Sequence, residues 1–134
     1  MTLHNVLAML VWTGAGIIVL FILMWLDSLF TKYKDMAEIR KGNVAVTTRF
    51  VMKLFAQGYI LSQSIAKSDD LWMALLASVV SFIILFVIEA IAELLLKVAA
   101  GIDLNQGTQQ GQVAYALLAG SFHVVGALVL AACL

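Results

Sequence analysis

The sequence predicts an all-α membrane protein: four transmembrane helices arranged as two parallel-repeat helical hairpins, with both termini outside. Three observations carry this. Hydrophobic residues make up 63% of the 134 residues, where soluble domains carry about 45–50%. Charged residues make up 12% and mean hydropathy is +1.04; a globule this small needs more polar residue to cover its surface. Four stretches are each long enough to cross a bilayer, which takes about 20 mostly apolar residues. The lipid bilayer is therefore the first partner the composition implies. Eight Lys and Arg balance eight Asp and Glu, so no nucleic-acid partner is expected. The single cysteine, Cys133, excludes an internal disulfide.

The four spans are read at 6–30, 43–66, 71–100 and 112–134, within one domain covering 1–134. Span one follows an n-region without Lys or Arg, has too long an apolar run for a signal peptide and lacks an A-x-A site, so it reads as a permanent anchor. Span two is the least apolar. Spans three and four are long apolar runs, and no proline interrupts any of them. The connections are short: about a dozen residues, four or five, and again about a dozen, consistent with antiparallel neighbours. Lys32, Lys34, Arg40 and Lys41 lie between spans one and two, and Lys97 flanks the connection between three and four; the opposite side offers Lys67 beside Asp69 and Asp70. The positive-inside rule then places the two longer loops in the cytoplasm. Trp12 and Trp72 fall near the outer interface and Trp25 near the inner one, levels that indole rings favour.

An internal repeat underlies this reading. Lys41-Gly42-Asn43-Val44-Ala45 recurs as Gln110-Gly111-Gln112-Val113-Ala114, each at the start of an even-numbered span. Repeat one then covers 6–66 and repeat two 71–134, in the same orientation and related by an axis along the membrane normal.

The stretch Ile39-Arg40-Lys41-Gly42-Asn43-Val44-Ala45, the segment Gly58-Tyr59-Ile60-Leu61-Ser62-Gln63-Ser64-Ile65-Ala66 and the terminal Ala131-Ala132-Cys133 resemble the bacterial YjfL-like family. That family is catalogued as a domain of unknown function: small, four-helix inner-membrane proteins with two repeats. The chain departs from it in carrying Leu61 where similar proteins have proline beside the serines, and in placing Arg49 and Lys53 in the second helix. The resemblance implies the bacterial cytoplasmic membrane. It also implies, through gene neighbourhoods of the phage-shock type, a link to membrane stress. The loop from Lys32 to Lys41, rich in both signs, reads as a solvated loop or as a dock for a cytoplasmic membrane-stress partner or lipid headgroups.

The informative residues are the ionisable ones inside the spans. Arg49 and Lys53 are four apart in span two, Glu89 and Glu93 four apart in span three, so each pair shares one helix face. Counting outward from the turn near Asp69, Arg49 falls level with Glu93 and Lys53 with Glu89. At about 1.5 Å per residue, Arg49 lies roughly 9 Å into the membrane and Lys53 roughly 15 Å. Four unpaired charges would cost on the order of 10 kcal/mol to insert; paired in low dielectric, they recover most of it. The same counting puts His123 opposite Ile88 or Glu89, and Asp27 level with Val46 and within reach of Arg49. The polar stripe Arg49, Lys53, Gln57, Ser64 must face protein rather than lipid. In the outer half, Thr13, Gln57, Gln63 and Ser64 are the polar steps expected, so a water file there would require oligomerisation.

Two readings of this cluster stay open. The paired charges fix helix register in an oligomeric structural or interaction protein linked to membrane stress; alternatively they form the path of an ion channel or proton-relay subunit. Ala116, Gly120, Ala127 and Ala131, with Gly14 and Gly16, allow close helix approach within the bundle or in a homo-oligomer. No cofactor and no metal site are expected. No P-loop, dinucleotide fingerprint or zincin motif is present, and His123 and Cys133, roughly 15 Å apart along one helix, form no nucleophilic pair, so no enzyme is expected.

Overall fold

The computed structural model describes residues 2–31 and 33–134. Six helices follow in order: α1 Leu3–Phe30, α2 Asp35–Arg40, α3 Val44–Lys67, α4 Leu71–Ala100, α5 Leu104–Gln109 and α6 Val113–Cys133. No strand occurs among the described residues. Three helices, α1, α4 and α6, are long and apolar enough to cross a membrane. Lys32, one of the basic residues of the first connection, lies outside the described residues.

Three of the long helices, α1, α3 and α4, begin where a side chain accepts from an otherwise unpaired backbone amide. The Thr2 hydroxyl accepts from the Asn5 amide at 3.3 Å, and the Asp70 carboxylate accepts from Trp72 at 3.0 Å. At the end of α4, Gly101 adopts φ +68° and the Ile102 amide donates to the Leu96 carbonyl at 3.2 Å, a glycine-terminated cap.

The two longer connections are not simple loops. Each holds a six-residue helix, α2 or α5, that periodicity over so few residues does not reveal. Both finish in one backbone arrangement. Gly42 (φ +82°) donates to Ile39 at 3.0 Å and Asn43 to Glu38 at 3.0 Å; Gly111 (φ +86°) donates to Thr108 at 3.1 Å and Gln112 to Gly107 at 2.9 Å. Glycine is needed at both because φ is positive. The next residue caps the following helix: the Asn43 side chain accepts from Val46 at 3.3 Å, while Gln112 makes no side-chain cap. The two corners touch, since Asn43 Nδ2 donates to the Gln109 carbonyl at 2.9 Å. They define one end of the bundle, the corner end; the residues between α3 and α4 define the other, the turn end.

The core lies around α3, which packs most extensively on α6 and next on α4. Small residues allow this: Ala116, Ala119, Gly120, Ala127 and Ala131 are all buried on α6. Ala127 joins Ala56, Ile60 and Leu85 in the apolar centre. A side chain at Gly120 would run into Met52 on α3. By contrast α1 exposes most of its length, with Leu10, Ile18, Phe21 and Trp25 among the residues more than half exposed.

Gly120→Leu should force α3 and α6 apart. Overpacking of this kind costs about 1–3 kcal/mol, read as an earlier melting transition of the detergent-solubilised protein. Gly14→Leu, where nothing lies within 4 Å, should leave that transition in place.

Candidate functional site

Helix α3 carries its polar residues on the side that meets the other helices. Arg49, Lys53, Gln57 and Ser64 are all buried, at spacings that keep them near one face. Arg49 is the most connected. Its Nη2 donates to Glu93 Oε1 on α4 at 2.5 Å, and its Nη1 donates to Asn105 Oδ1 on α5 at 2.7 Å and to the Tyr33 hydroxyl at 3.2 Å. Asn105 Nδ2 reaches the second Glu93 oxygen at 3.4 Å. One guanidinium thus ties α3 to α4, to α5 and to the segment entering α2, a use of its fixed fork of donors that a lysine could not reproduce.

The Arg49–Glu93 pair stands where counting from the turn predicts. Lys53 does not pair with Glu89: its Nζ donates to Asp27 Oδ2 on α1 at 2.6 Å. Glu89 instead contacts His123 on α6, Oε1 against Nδ1. Two geometric facts explain the difference. Four residues turn a helix by slightly more than a full circle, so Lys53 is rotated from Arg49 and points between neighbours. The counting also assumes a symmetric connection between α1 and α3, whereas the chain there folds back: Tyr33 is buried against Arg49, and the Ser28 hydroxyl donates to Asp35 at 2.8 Å. Asp27 is in reach of the Lys53 amine, and it neutralises Lys53 instead of Arg49.

The six ionisable side chains of this layer hold an odd balance. Asp27, Glu89 and Glu93 are three carboxylates; Arg49 and Lys53 are two cations; His123 is the sixth. With every carboxylate ionised and the imidazole neutral, the layer carries one uncompensated negative charge, which a low-dielectric interior strongly disfavours. One proton held at the Glu89–His123 contact restores neutrality, on either partner.

This layer borders a cavity of about 140 Å³ whose walls include Asp27, Arg49, Lys53, Glu89, Glu93, Asn105 and His123. That is room for several waters, each of which needs roughly 10–15 Å³ of such space. A smaller void of about 10 Å³ lies beside it, lined by Gln57 together with Asp27, Lys53, Glu89 and His123 and by the apolar Met24, Leu85 and Phe86. Gln57 Oε1 and Arg49 Nε are buried with no hydrogen bond.

Of the other residues singled out from the sequence, Gly42, Asn43, Gly111 and Gln112 form the two corners, away from the charged layer. Ala116, Gly120, Ala127 and Ala131 lie inside the bundle, where α6 meets α3. Cys133 is exposed at the end of α6. Among the described residues no group of three or more His, Cys, Asp or Glu side chains is disposed to hold a metal ion. Sequence reasoning missed Tyr33 and Asn105, which lie in the connections, where level counting does not apply. It also missed Ser78 and Ser81, buried on α4; their spacing from Glu89 along one helix face was the available signal.

All of residues 1–134 match the family model described as Domain of Unknown Function (DUF350). The chain belongs to this family. No curated protein and no solved structure matches it. In this DUF350 chain the charged layer is where the ionisable side chains of α1, α3, α4 and α6 meet.

Two measurements probe the layer. Arg49→Ala and Glu93→Ala should each be destabilising, by about 3 kcal/mol for the buried arginine; the double variant should be milder than the sum, and strict additivity of melting shifts would separate the pair. Tyr33, in the connection between α1 and α2, has its hydroxyl pushed up to about 12 by burial, which outweighs the lowering effect of Arg49. The native chain then keeps a proton that the unfolded chain releases near pH 10, so stability falls as pH rises from about 10 to about 12. Tyr33→Phe should flatten that part of the alkaline limb, at the expense of about 1 kcal/mol at neutral pH from the lost hydrogen bond.

Proposed function

We propose that this chain is a four-span protein of the bacterial cytoplasmic membrane whose charged layer takes up and releases a proton, as a proton-relay or channel subunit. The observation that carries the proposal is the odd charge balance at Glu89 and His123 beside a cavity large enough for water. An intramembrane carboxylate in contact with an imidazole, reachable by water, has the parts of a proton relay.

In this reading α3 is the fourth span. Its 24 residues rise about 36 Å, enough to cross. The charges that lower its hydropathy are turned toward protein, and Val51, Phe55 and Tyr59 are on its exposed side. Lys34, Arg40, Lys41 and Lys97 cluster toward the corner end, which supports a cytoplasmic corner end with both termini outside. The matched glycine corners support descent of the two hairpins from one repeat. A relay moves protons without covalent chemistry on a substrate, so the protein is read as no enzyme.

The pairing of both cations favours a second reading, in which Arg49–Glu93 and Lys53–Asp27 simply lock the bundle of an oligomeric interaction protein. Its partner would be a membrane-stress protein docking on the cytoplasmic corner. Such a protein has no use for the proton at Glu89.

Flux measurements separate the two. Purified protein in liposomes with a trapped pH dye should dissipate an imposed pH gradient, and Glu89→Gln or His123→Ala should slow this about tenfold, the effect of roughly 1.4 kcal/mol on a barrier. Wild-type liposomes no leakier than empty ones would overturn the relay. For the topology, cysteines placed in a Cys133→Ala background should react with an impermeant reagent in intact cells at Asp69 and not at Lys41; the reverse pattern inverts the orientation.

A further inference from the structure

The charged layer sits in the half of the bundle nearer the corner end, so a relay needs a path through the other half. The register set by the Arg49–Glu93 bond places Gln57 on α3 level with Leu85 on α4, one helical turn beyond Lys53 and Glu89. Continuing toward the turn end, Ser81 is level with Leu61, and Ser78 with Ser64. All of these side chains are buried. At about 1.5 Å per residue, the four positions between successive layers amount to roughly 6 Å, the span of about two hydrogen bonds through one water.

Three features single out this seam. Gln57 Oε1 is a buried acceptor with no hydrogen-bond partner, and it lines the void of about 10 Å³ that it shares with Glu89 and His123. That volume is close to the roughly 10–15 Å³ that one water needs, and a water there has polar groups around it to bond. Beyond it, Ser81, Ser78 and Ser64 put hydroxyls in an otherwise apolar interior, and a hydroxyl donates and accepts at once. Ser64 donates to the Ile60 carbonyl at 2.9 Å. Between the two polar stretches stands Leu85, packed with Ile60, Ala56 and Ala127. Its side chain occupies the notch left by Gly126 on α6, where a Cβ would meet Leu85 Cδ1.

We propose that the proton path runs inside a single protomer along the seam between α3 and α4, from the Glu89–His123 pair through a water held by Gln57 to the serines Ser81, Ser78 and Ser64, with Leu85 as its constriction. This rests on the relay reading and adds its route. A proton taken from the cavity side onto the Glu89–His123 pair passes to the water at Gln57, leaving the pair ready for the next, and crosses Leu85 to the serine hydroxyls. No second copy of the chain is needed to complete the route.

The test uses the same dye-loaded liposomes with the full chain. Gln57→Leu, which keeps the shape and removes the acceptor, should slow flux about tenfold. Leu85→Ser, which widens and wets the constriction, should speed it severalfold, a gain that a misfolded protein would have to mimic by leaking. The double variant Glu89→Gln/Leu85→Ser controls for that: its flux should fall back, and persistence of fast flux would mark a leak and overturn the route. Wild-type flux that needs Glu89 but ignores both Gln57→Leu and Leu85→Ser would leave the relay standing and sink this path. No flux in the wild type or in Leu85→Ser would remove both.

Discussion

Arg49 is buried almost completely in a bundle whose exterior is apolar, and the rest of the layer is arranged around that fact. A guanidinium stays charged at any pH a cell meets, so it must be met by acceptors. Glu93, Asn105 and Tyr33 supply them from three different parts of the chain. Tyr33, buried against Arg49, fixes the segment that follows α1. On α1 itself, Asp27 meets Lys53. Glu89, no longer needed by Lys53, is left to His123. With Arg49 held by Glu93 and Lys53 by Asp27, the one acid without a cation is Glu89, beside His123.

Much of this was legible in the sequence, and its failures have physical causes. Long apolar runs determine their own helices, so α1, α3, α4 and α6 begin and end within a few residues of expectation. The antiparallel pair α3 and α4 shares a tight turn, and level counting across it finds Glu93 opposite Arg49. Counting fails for Asp27 because the connection from α1 to α3 is a folded corner rather than a symmetric loop. The short helices α2 and α5 escape notice because six residues hold too few turns for a periodic pattern; glycine at positive φ was the better marker. The half toward the turn end looked poorer in polar steps than it is, since Ser78 and Ser81 are hidden within the strongly apolar α4.

Hydropathy alone divides the long helices into three apolar ones and α3. The division reflects position in the bundle. Helix α3 is surrounded by α1, α4 and α6, so much of its surface never meets what lies outside. A central helix is free to carry charge where its neighbours answer it, and here side chains from α1, α4 and α5 meet Lys53 and Arg49. The apolar helices that enclose it carry the opposite constraint, and α1 shows it most clearly with its long exposed apolar flank.

The matched corners at Gly42 and Gly111 carry one more consequence. Advancing from each glycine by the same number of residues takes Arg49 to Leu118 and Lys53 to Phe122, and stepping back takes Glu93 to Met24 and Glu89 to Leu20. The backbone plan of the two corners is shared while the chemistry of the helices beyond them is not. Corresponding positions therefore tolerate different substitutions: Arg49, Lys53, Glu89 and Glu93 answer to named partners, whereas Leu118, Phe122, Met24 and Leu20 answer to shape and apolarity alone. Sequences that share this plan should drift faster at the second set than at the first, and a change of charge at the first should arrive together with a change in its partner.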